Sequence, residues 1–314
     1  MHPVHWGDKP YHSLDYELRQ TFGEKVYRLS LNGGMTCPNR DGTVNTGGCI
    51  FCSAGGSGDF AACPSLSVTV QIEQAKSRIR QKTACKKFIA YFQAYTNTYA
   101  PVDYLRSLFT AAIRHPDIAA LSIATRCDCL PADVLDLLEE LNRIKPVWIE
   151  LGLQSIHDTT LDAIHSGFHY TQYLDAVHAL SDRNIPVITH LILGLPGESQ
   201  EMMLASVRQV ASLPVSGIKL QLLHVLKGTD LAYNYLAGKF KVLERAEYID
   251  LVADCLEHLD PSIVIHRVTG DGPKDLLIAP LWASRKREVL NLLHHRLKER
   301  QSFQGKAFFK HTRI

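Results

Sequence analysis

Short apolar runs of strand length alternate with stretches of helical period along most of the chain. SLDYELRQTF (13–22) reads as a short helix capped by Ser13 and ended by Gly23, after which KVYRLSL alternates into a first strand. A helix over 69–82 then precedes the strand KFIAYFQ (87–93). The same succession recurs as helix 102–114 with strand IAALSIAT (118–125), and as helix 132–143 with strand VWIELGL (147–153). In helix 132–143 the residues Val134, Leu135, Leu137, Leu138 and Leu141 form one apolar side. Helix 171–183 with strand PVITHLILG (186–194) and helix 199–211 with strand GIKLQLLHV (217–225) follow. Strands alternating with helices in steps of roughly 30 residues indicate right-handed crossovers and a parallel sheet.

Six such units fall short of the eight strands and ~250 residues of a closed barrel. The pattern therefore predicts an α/β fold: an open, partial (β/α)6 TIM-type barrel over 24–230, preceded by an N-terminal helical segment, 1–23. Helix 242–258, strand SIVIHRV (262–268), the turn TGDGPK and helix 285–300 form a small C-terminal α+β extension, 231–314, with a basic tail. The C-terminal strand ends of such a barrel carry the reactive groups.

At 314 residues, 46% hydrophobic and 21% charged, the chain can bury a large core. MHPVHWGDKPYH is no secretory signal and no apolar run approaches membrane-spanning length, so the expected location is cytoplasmic, with no membrane partner. Eight cysteines without framework spacing then read as reduced thiols. The net charge of +2 is unevenly spread, for residues 284–314 hold nine Lys/Arg against two acids and so leave −5 to the remainder. Phe303, Phe308 and Phe309 interleave there with Arg300, Lys306, Lys310 and Arg313. That composition suits phosphate contact with base stacking, although a solvated helix followed by a docked terminus has it too.

The chemistry concentrates in CPNRDGTVNTGGCIFC (37–52), where Cys37, Cys49 and Cys52 stand in a C-x11-C-x2-C spacing. Cys49 and Cys52 close a tight bite, and Gly47 and Gly48 let the backbone fold back so that Cys37 reaches the same centre. Zinc would require a fourth ligand that the loop lacks. Three thiolates on a four-iron cluster would leave one iron open to a substrate or cofactor, so the spacing favours iron–sulfur; zinc and three unrelated thiols stay open.

This loop, ELGLQS (150–155) and LGLPGES (193–199) resemble a radical S-adenosylmethionine (radical SAM) enzyme. More narrowly they resemble a bacterial family related to the radical domain of the elongator catalytic subunit. The resemblance implies that Cys37, Cys49 and Cys52 hold a 4Fe-4S cluster, that S-adenosylmethionine chelates the open iron, and that its reductive cleavage yields a hydrogen-abstracting 5'-deoxyadenosyl radical. It also implies a flavodoxin or ferredoxin type reductant. Thr96 lies where relatives receive the cofactor's amino group, although the glycines of that motif are missing. TRCDC (125–129) resembles a Thr-Arg-Pro-Asp motif, making Arg126 the candidate partner of the cofactor carboxylate, with Cys127 and Cys129 as buried thiols. Glu150 and Gln154 would face ribose and methionine, with an ion pair to Lys219 as the alternative for Glu150. Gly194 and Gly197 would let the adenine lie on backbone. His224 and Lys227, at the end of the last strand, are candidates for substrate contact.

The elongator relatives begin a side chain on carbon 5 of the wobble uridine with an acetyltransferase domain, for which 314 residues leave no room. The expectation is therefore tRNA, with remodelling of a carboxymethylaminomethyl-type group already present. A protein or small-metabolite substrate, or a noncatalytic cluster or cofactor carrier, are the alternatives.

Overall fold

The protein is described by a computed structural model over residues 6–308, other than 57, 60, 82 and 271. Phe309, Lys310 and Arg313 of the basic tail lie outside the described residues. Helix α1 (Leu14–Phe22) leads into β1 (Tyr27–Leu31). There follow α2 (Val68–Arg80), β2 (Phe88–Phe92), α3 (Val102–Ile113), β3 (Ile118–Thr125), α4 (Ala132–Asn142) and β4 (Val147–Gln154). Next come α5 (Asp158–Ala163), α6 (Tyr170–Ser181), β5 (Val187–Leu193), α7 (Gln200–Ala211), β6 (Gly217–Leu222) and β7 (Val225–Leu226). The chain continues with α8 (Asp230–Leu236), α9 (Arg245–His258), β8 (Val264–Arg267), β9 (Leu277–Ala279) and α10 (Lys286–Glu299).

Local signals operate as the sequence predicts. The Ser13 hydroxyl accepts from the Tyr16 amide, Gly23 closes α1 at φ 72°, and the buried side of α4 is the predicted set of five residues. The helices α5 and α8 escaped the periodicity because six and seven residues are too few to register it. Among the described residues no helix is long and apolar enough to cross a membrane.

The strands form one curved parallel sheet in the order β1-β2-β3-β4-β5-β6-β8, a partial TIM-type barrel. It carries seven strands where six were expected. The seventh is the 262–268 strand read as part of the extension: it pairs parallel with β6, Gly217 opposite Val264 and Lys219 opposite Arg267, with α9 as the crossover helix. Its VIHR sequence is half polar because His266 and Arg267 belong to the barrel interior, so it does not read as a barrel strand. The outer edge of β8 is covered, since the Ile265 amide donates to the His12 carbonyl at 2.7 Å and the Gln304 amide donates to the Ile263 carbonyl at 2.8 Å. Beyond β6 the chain leaves the barrel, and β7 pairs antiparallel with β9, shortening the predicted 217–225 strand.

Phe303 and Phe308 are docked, in line with the second of the two readings that the composition left open. Phe303 is buried and Phe308 packs on the core. Arg300 pairs with Asp254, and Lys306 donates to the Arg300 carbonyl at 3.0 Å. Their apolar area seals the outside of α9, where it is removed from water.

Candidate active site

The cysteine loop leaves the C-terminal end of β1 and is held by its own backbone. The Cys37 carbonyl accepts the amides of Arg40 (2.8 Å) and Asp41 (3.2 Å), and the Cys49 carbonyl accepts the Cys52 amide (2.9 Å). Gly47 and Gly48, at φ 83° and 88°, reverse the chain between these turns in the left-handed region that favours glycine. Two anchors dock the loop on the barrel rim. The Ile50 amide donates to the Ile164 carbonyl (3.1 Å), and the fully buried Asn39 donates to the His165 carbonyl (2.6 Å). The same Asn39 amide lies 3.4 Å from the Cys49 sulfur.

All three thiols line one cavity of about 250 Å³ at the C-terminal strand ends. Burial, then the neighbouring Cys52 and Cys37, push the Cys49 thiol up to about 12, with Arg126 opposing. A metal centre would take up these crowded thiolates. Among the described residues no three or more His, Cys, Asp or Glu converge on a point as a single ion requires. Three thiols on one cavity wall are a donor set that suits an iron–sulfur cluster with one iron left open.

Thr96, Arg126, Glu150, Gln154 and His224 line the same cavity. Gly194, Gly197 and Lys227 are not on its wall. A side chain at Gly194 would meet Leu243, the Gly197 turn faces open space, and the Lys227 ammonium donates outside the barrel to the Asp275 carbonyl (2.8 Å). Thr96 donates its amide to the Thr36 carbonyl and so ties the end of β2 to the start of the cysteine loop. Gln154 takes a left-handed φ of 72° at a bulge in the β4–β5 ladder, which re-aims its side chain at the strand end. Cys127 and Cys129 are buried, as expected of spectator thiols.

Arg126 has the bidentate edge of its guanidinium engaged by Asp128, at 2.9 and 2.6 Å, and donates its remaining nitrogen to the Ser166 carbonyl at 2.7 Å. It lies over the Phe168 ring and close enough to Cys37 and Cys49 that their thiolates hold its proton more tightly, although burial works against the charge and Asp128 adds to it. The fork foreseen for a cofactor carboxylate is thus closed on the protein, and what Arg126 offers the cavity is a fixed positive charge beside the thiols.

The barrel floor beneath is an ionic network. Glu150 is fully buried; it pairs with Lys219, accepts from Ser122 (2.7 Å) and His190 (2.9 Å), and lies 3.4 Å from Arg28. Burial alone would raise its pKa, but Lys219, Arg28 and His190 together hold it well below the usual range. Lys219 also donates to the Tyr91 hydroxyl (3.1 Å), and Arg28 meets His266 (2.8 Å). Burial, then the charge of Lys219, drive His190 down to about 4, so its ring is neutral at physiological pH.

The family profile described as Radical SAM superfamily matches residues 37–210, and that of the Radical_SAM C-terminal domain matches 215–299. The chain belongs to the radical SAM superfamily. Radical SAM proteins use a 4Fe-4S cluster and S-adenosylmethionine, in accord with the three-thiol wall. This one is 47% identical to YtqA of Bacillus subtilis over 96% of this chain and 94% of that one. It is 26% identical to the tRNA uridine(34) acetyltransferase of Methanocaldococcus infernus over 54% of this chain and 32% of the enzyme. The fold matches the Elp3 structure from M. infernus with a TM-score of 0.68 at 16% identity, over 89% of this chain and 64% of that one.

Sequence reasoning missed Arg40, Gln221 and Arg267 as wall residues of this radical SAM cavity, while Gln93 and Tyr95 belong to the strand end already singled out with Thr96. A signal for the floor was present: a polar residue interrupts nearly every apolar strand, as in YRLSL, WIELGL, ITHLIL and IKLQL. Arg40 carries no such signal, since only folding brings it to the Cys52 and Ser53 carbonyls (3.1 and 2.6 Å) and to within 5.6 Å of the Tyr95 ring centroid. Tyr95 itself is held by Gly56, whose carbonyl accepts the Tyr95 amide at 2.9 Å. Gly56 has φ 58°, and a Cβ there would enter the Tyr95 ring. Gly56→Ala should therefore cost about 1–3 kcal/mol in denaturant unfolding, and should lower iron retention by displacing the ring that Arg40 lies against.

Proposed function

We propose that this radical SAM protein remodels a carboxymethylaminomethyl-type side chain on carbon 5 of wobble uridine in tRNA. The observation that carries the reading is a cationic mouth joined to the cluster cavity. His224, Gly270, Gly272 and Pro273 belong both to that cavity and to a second hollow lined by Lys274 and Lys286, at the start of α10. Lys274, Arg285, Lys286 and Arg287 are exposed there, so among the described residues the N-terminal end of α10 offers a basic surface to RNA. The relatedness to tRNA uridine(34) acetyltransferase supports the same substrate class.

Cofactor cleavage, when cluster and cofactor are bound, supplies a radical able to take hydrogen from carbon. Cys37, Cys49 and Cys52 would hold the cluster, Arg126 would keep a positive charge beside it, and Gln154 with Thr96 would bound the cofactor's space. A methylene between nitrogen and carboxylate suits the substrate, since both stabilise a carbon radical left by hydrogen abstraction. A flavodoxin or ferredoxin would supply the electron.

Comparison of tRNA nucleosides from cells with and without the gene tests the reading. Accumulation of the carboxymethylaminomethyl nucleoside is expected in the deletion strain. Unchanged wobble uridines would remove the tRNA assignment in favour of a protein or small metabolite. Reversing Arg285, Lys286 and Arg287 to Glu should weaken tRNA binding and flatten its salt dependence, while uncoupled release of 5'-deoxyadenosine persists.

A further inference from the structure

Three successive carbonyls of one turn hold the cysteine loop and the cation beside it. Between α5 and α6, the Ile164 carbonyl accepts the Ile50 amide (3.1 Å), the His165 carbonyl accepts the Asn39 side-chain amide (2.6 Å), and the Ser166 carbonyl accepts Arg126 (2.7 Å). Left-handed residues at His165 and Gly167, φ 54° and 73°, bend the backbone there. A Cβ at position 167 would come to 2.6 Å from the Asn39 oxygen. That amide faces Cys49 in one orientation. Its nitrogen donates to His165 and to the Cys49 sulfur (3.4 Å), while its buried oxygen has no hydrogen-bond partner among the described residues. Turned over, the amide would set its oxygen against a carbonyl and a sulfur, both acceptors. A residue that served only to dock the loop would do better without an orphaned oxygen, because a buried polar group left unpaired costs free energy. The donor half of the amide is what the site retains.

Arg126 makes the second contribution. It is buried, held by Asp128 and Ser166, and close enough to Cys37 and Cys49 to feel their charge. We propose that Asn39 and Arg126, latched onto this turn, raise the reduction potential of the iron–sulfur cluster carried by the three cysteines. The proposal rests on the cluster reading of Cys37, Cys49 and Cys52, and not on the substrate being tRNA. Reduction adds one electron to the cluster, taken from the flavodoxin or ferredoxin type donor, and part of the added negative charge resides on the sulfurs. An N–H on one sulfur and a guanidinium beside two of them stabilise that more negative state, where burial weakens screening. Asp128 offsets part of the guanidinium charge.

The test uses full-length protein, anaerobically reconstituted, in redox titrations followed by EPR without S-adenosylmethionine or RNA. At a fixed solution potential, Asn39→Leu should lower the ratio of reduced to oxidised cluster on the order of tenfold, a shift of about 59 mV for one electron. Arg126→Gln should lower it further, because the Asp128 carboxylate then stands unopposed. Arg126→Lys should stay near the wild type, an outcome that a merely structural role of the fork does not give. With isotope-labelled asparagine, pulsed EPR of the reduced wild-type cluster should show a coupling to a side-chain nitrogen that Asn39→Leu abolishes. An unchanged potential in Asn39→Leu with full iron, equal potentials in Arg126→Gln and Arg126→Lys, or absence of the asparagine coupling from the wild type would overturn the proposal. Should Asn39→Leu not retain iron, the wild-type coupling and the two Arg126 variants still decide. A protein that takes up no cluster would remove the three-thiol reading and this proposal with it. Unaltered wobble uridines with the shifts intact would remove the tRNA reading alone, and the opposite pair of results would remove only the assignment of Asn39 and Arg126.

Discussion

Cys37→Ala, Cys49→Ala and Cys52→Ala should each lose the iron–sulfur cluster outright, and with it all release of 5'-deoxyadenosine. The three thiols share one cavity wall. The neighbouring thiols Cys127 and Cys129 are buried behind Arg126 and Asp128, where burial drives the Cys127 thiol up to about 12 and away from the thiolate that metal binding needs. Two remaining thiolates do not keep a four-iron cluster in place. Iron assay and the visible absorption of anaerobically reconstituted protein check this. The fold should survive, because the loop is tied down by backbone hydrogen bonds and by Asn39 and Arg40. Cys63, which is exposed, and Cys85 and Cys255, which are buried in the core away from the cavity, should retain iron when changed to Ala. Loss of all iron from Cys63→Ala would sink the three-ligand assignment.

Glu150→Ala should be the most damaging single change away from that loop. It removes the buried carboxylate that Lys219 and Arg28 share, and removing one partner of a buried ion pair costs about 3–5 kcal/mol. Chemical denaturation at neutral pH should register a loss of that size, or no soluble protein. The pH dependence identifies the cause. Lys219 has a folded pKa of about 7 against an ordinary 10.5, so the unfolded chain binds the extra proton between these values. This group's contribution to stability therefore rises with pH through that window and is least favourable below it. Wild-type protein should gain stability between pH 7 and 9 relative to Lys219→Met, in which that rise is absent. Parallel pH profiles for the two proteins would exclude Lys219 as the titrating group.

Much of this arrangement follows from local chemistry written in the chain. The alternation of strand and helix, the Ser13 and Gly23 caps and the apolar side of α4 depend on neighbours a few residues apart, so they could be read directly. The cysteine loop was legible as a candidate metal centre, because a tight bite with a glycine reversal favours an iron–sulfur site, although spacing left zinc open. The superfamily came from the resemblance of that loop together with ELGLQS (150–155) and LGLPGES (193–199). Burial of the tail aromatics was decided by α9, whose outer face had to be covered, and composition cannot tell a covered aromatic from one offered to a nucleic acid.

The seventh strand and the barrel floor were decided by tertiary structure. VIHRV looks unlike a barrel strand until β6 supplies the ladder and Glu150 lies near the neutral ring of His266. The Glu150–Lys219 pair was legible as the alternative role for Glu150, whereas Arg28, some 120 residues before Glu150 and a lone polar interruption in an apolar run, joins them only through the fold, in one low-dielectric place. The closed Arg126–Asp128 pair is similar: two residues apart in sequence, they form a fork only because the end of β3 turns back on itself. The sequence by itself determined which elements form and where a cluster can be held. Beyond the Glu150–Lys219 pair, folding decided which charges meet, because electrostatics in a buried site depend on distance through space and on exclusion of water, neither of which a linear pattern carries.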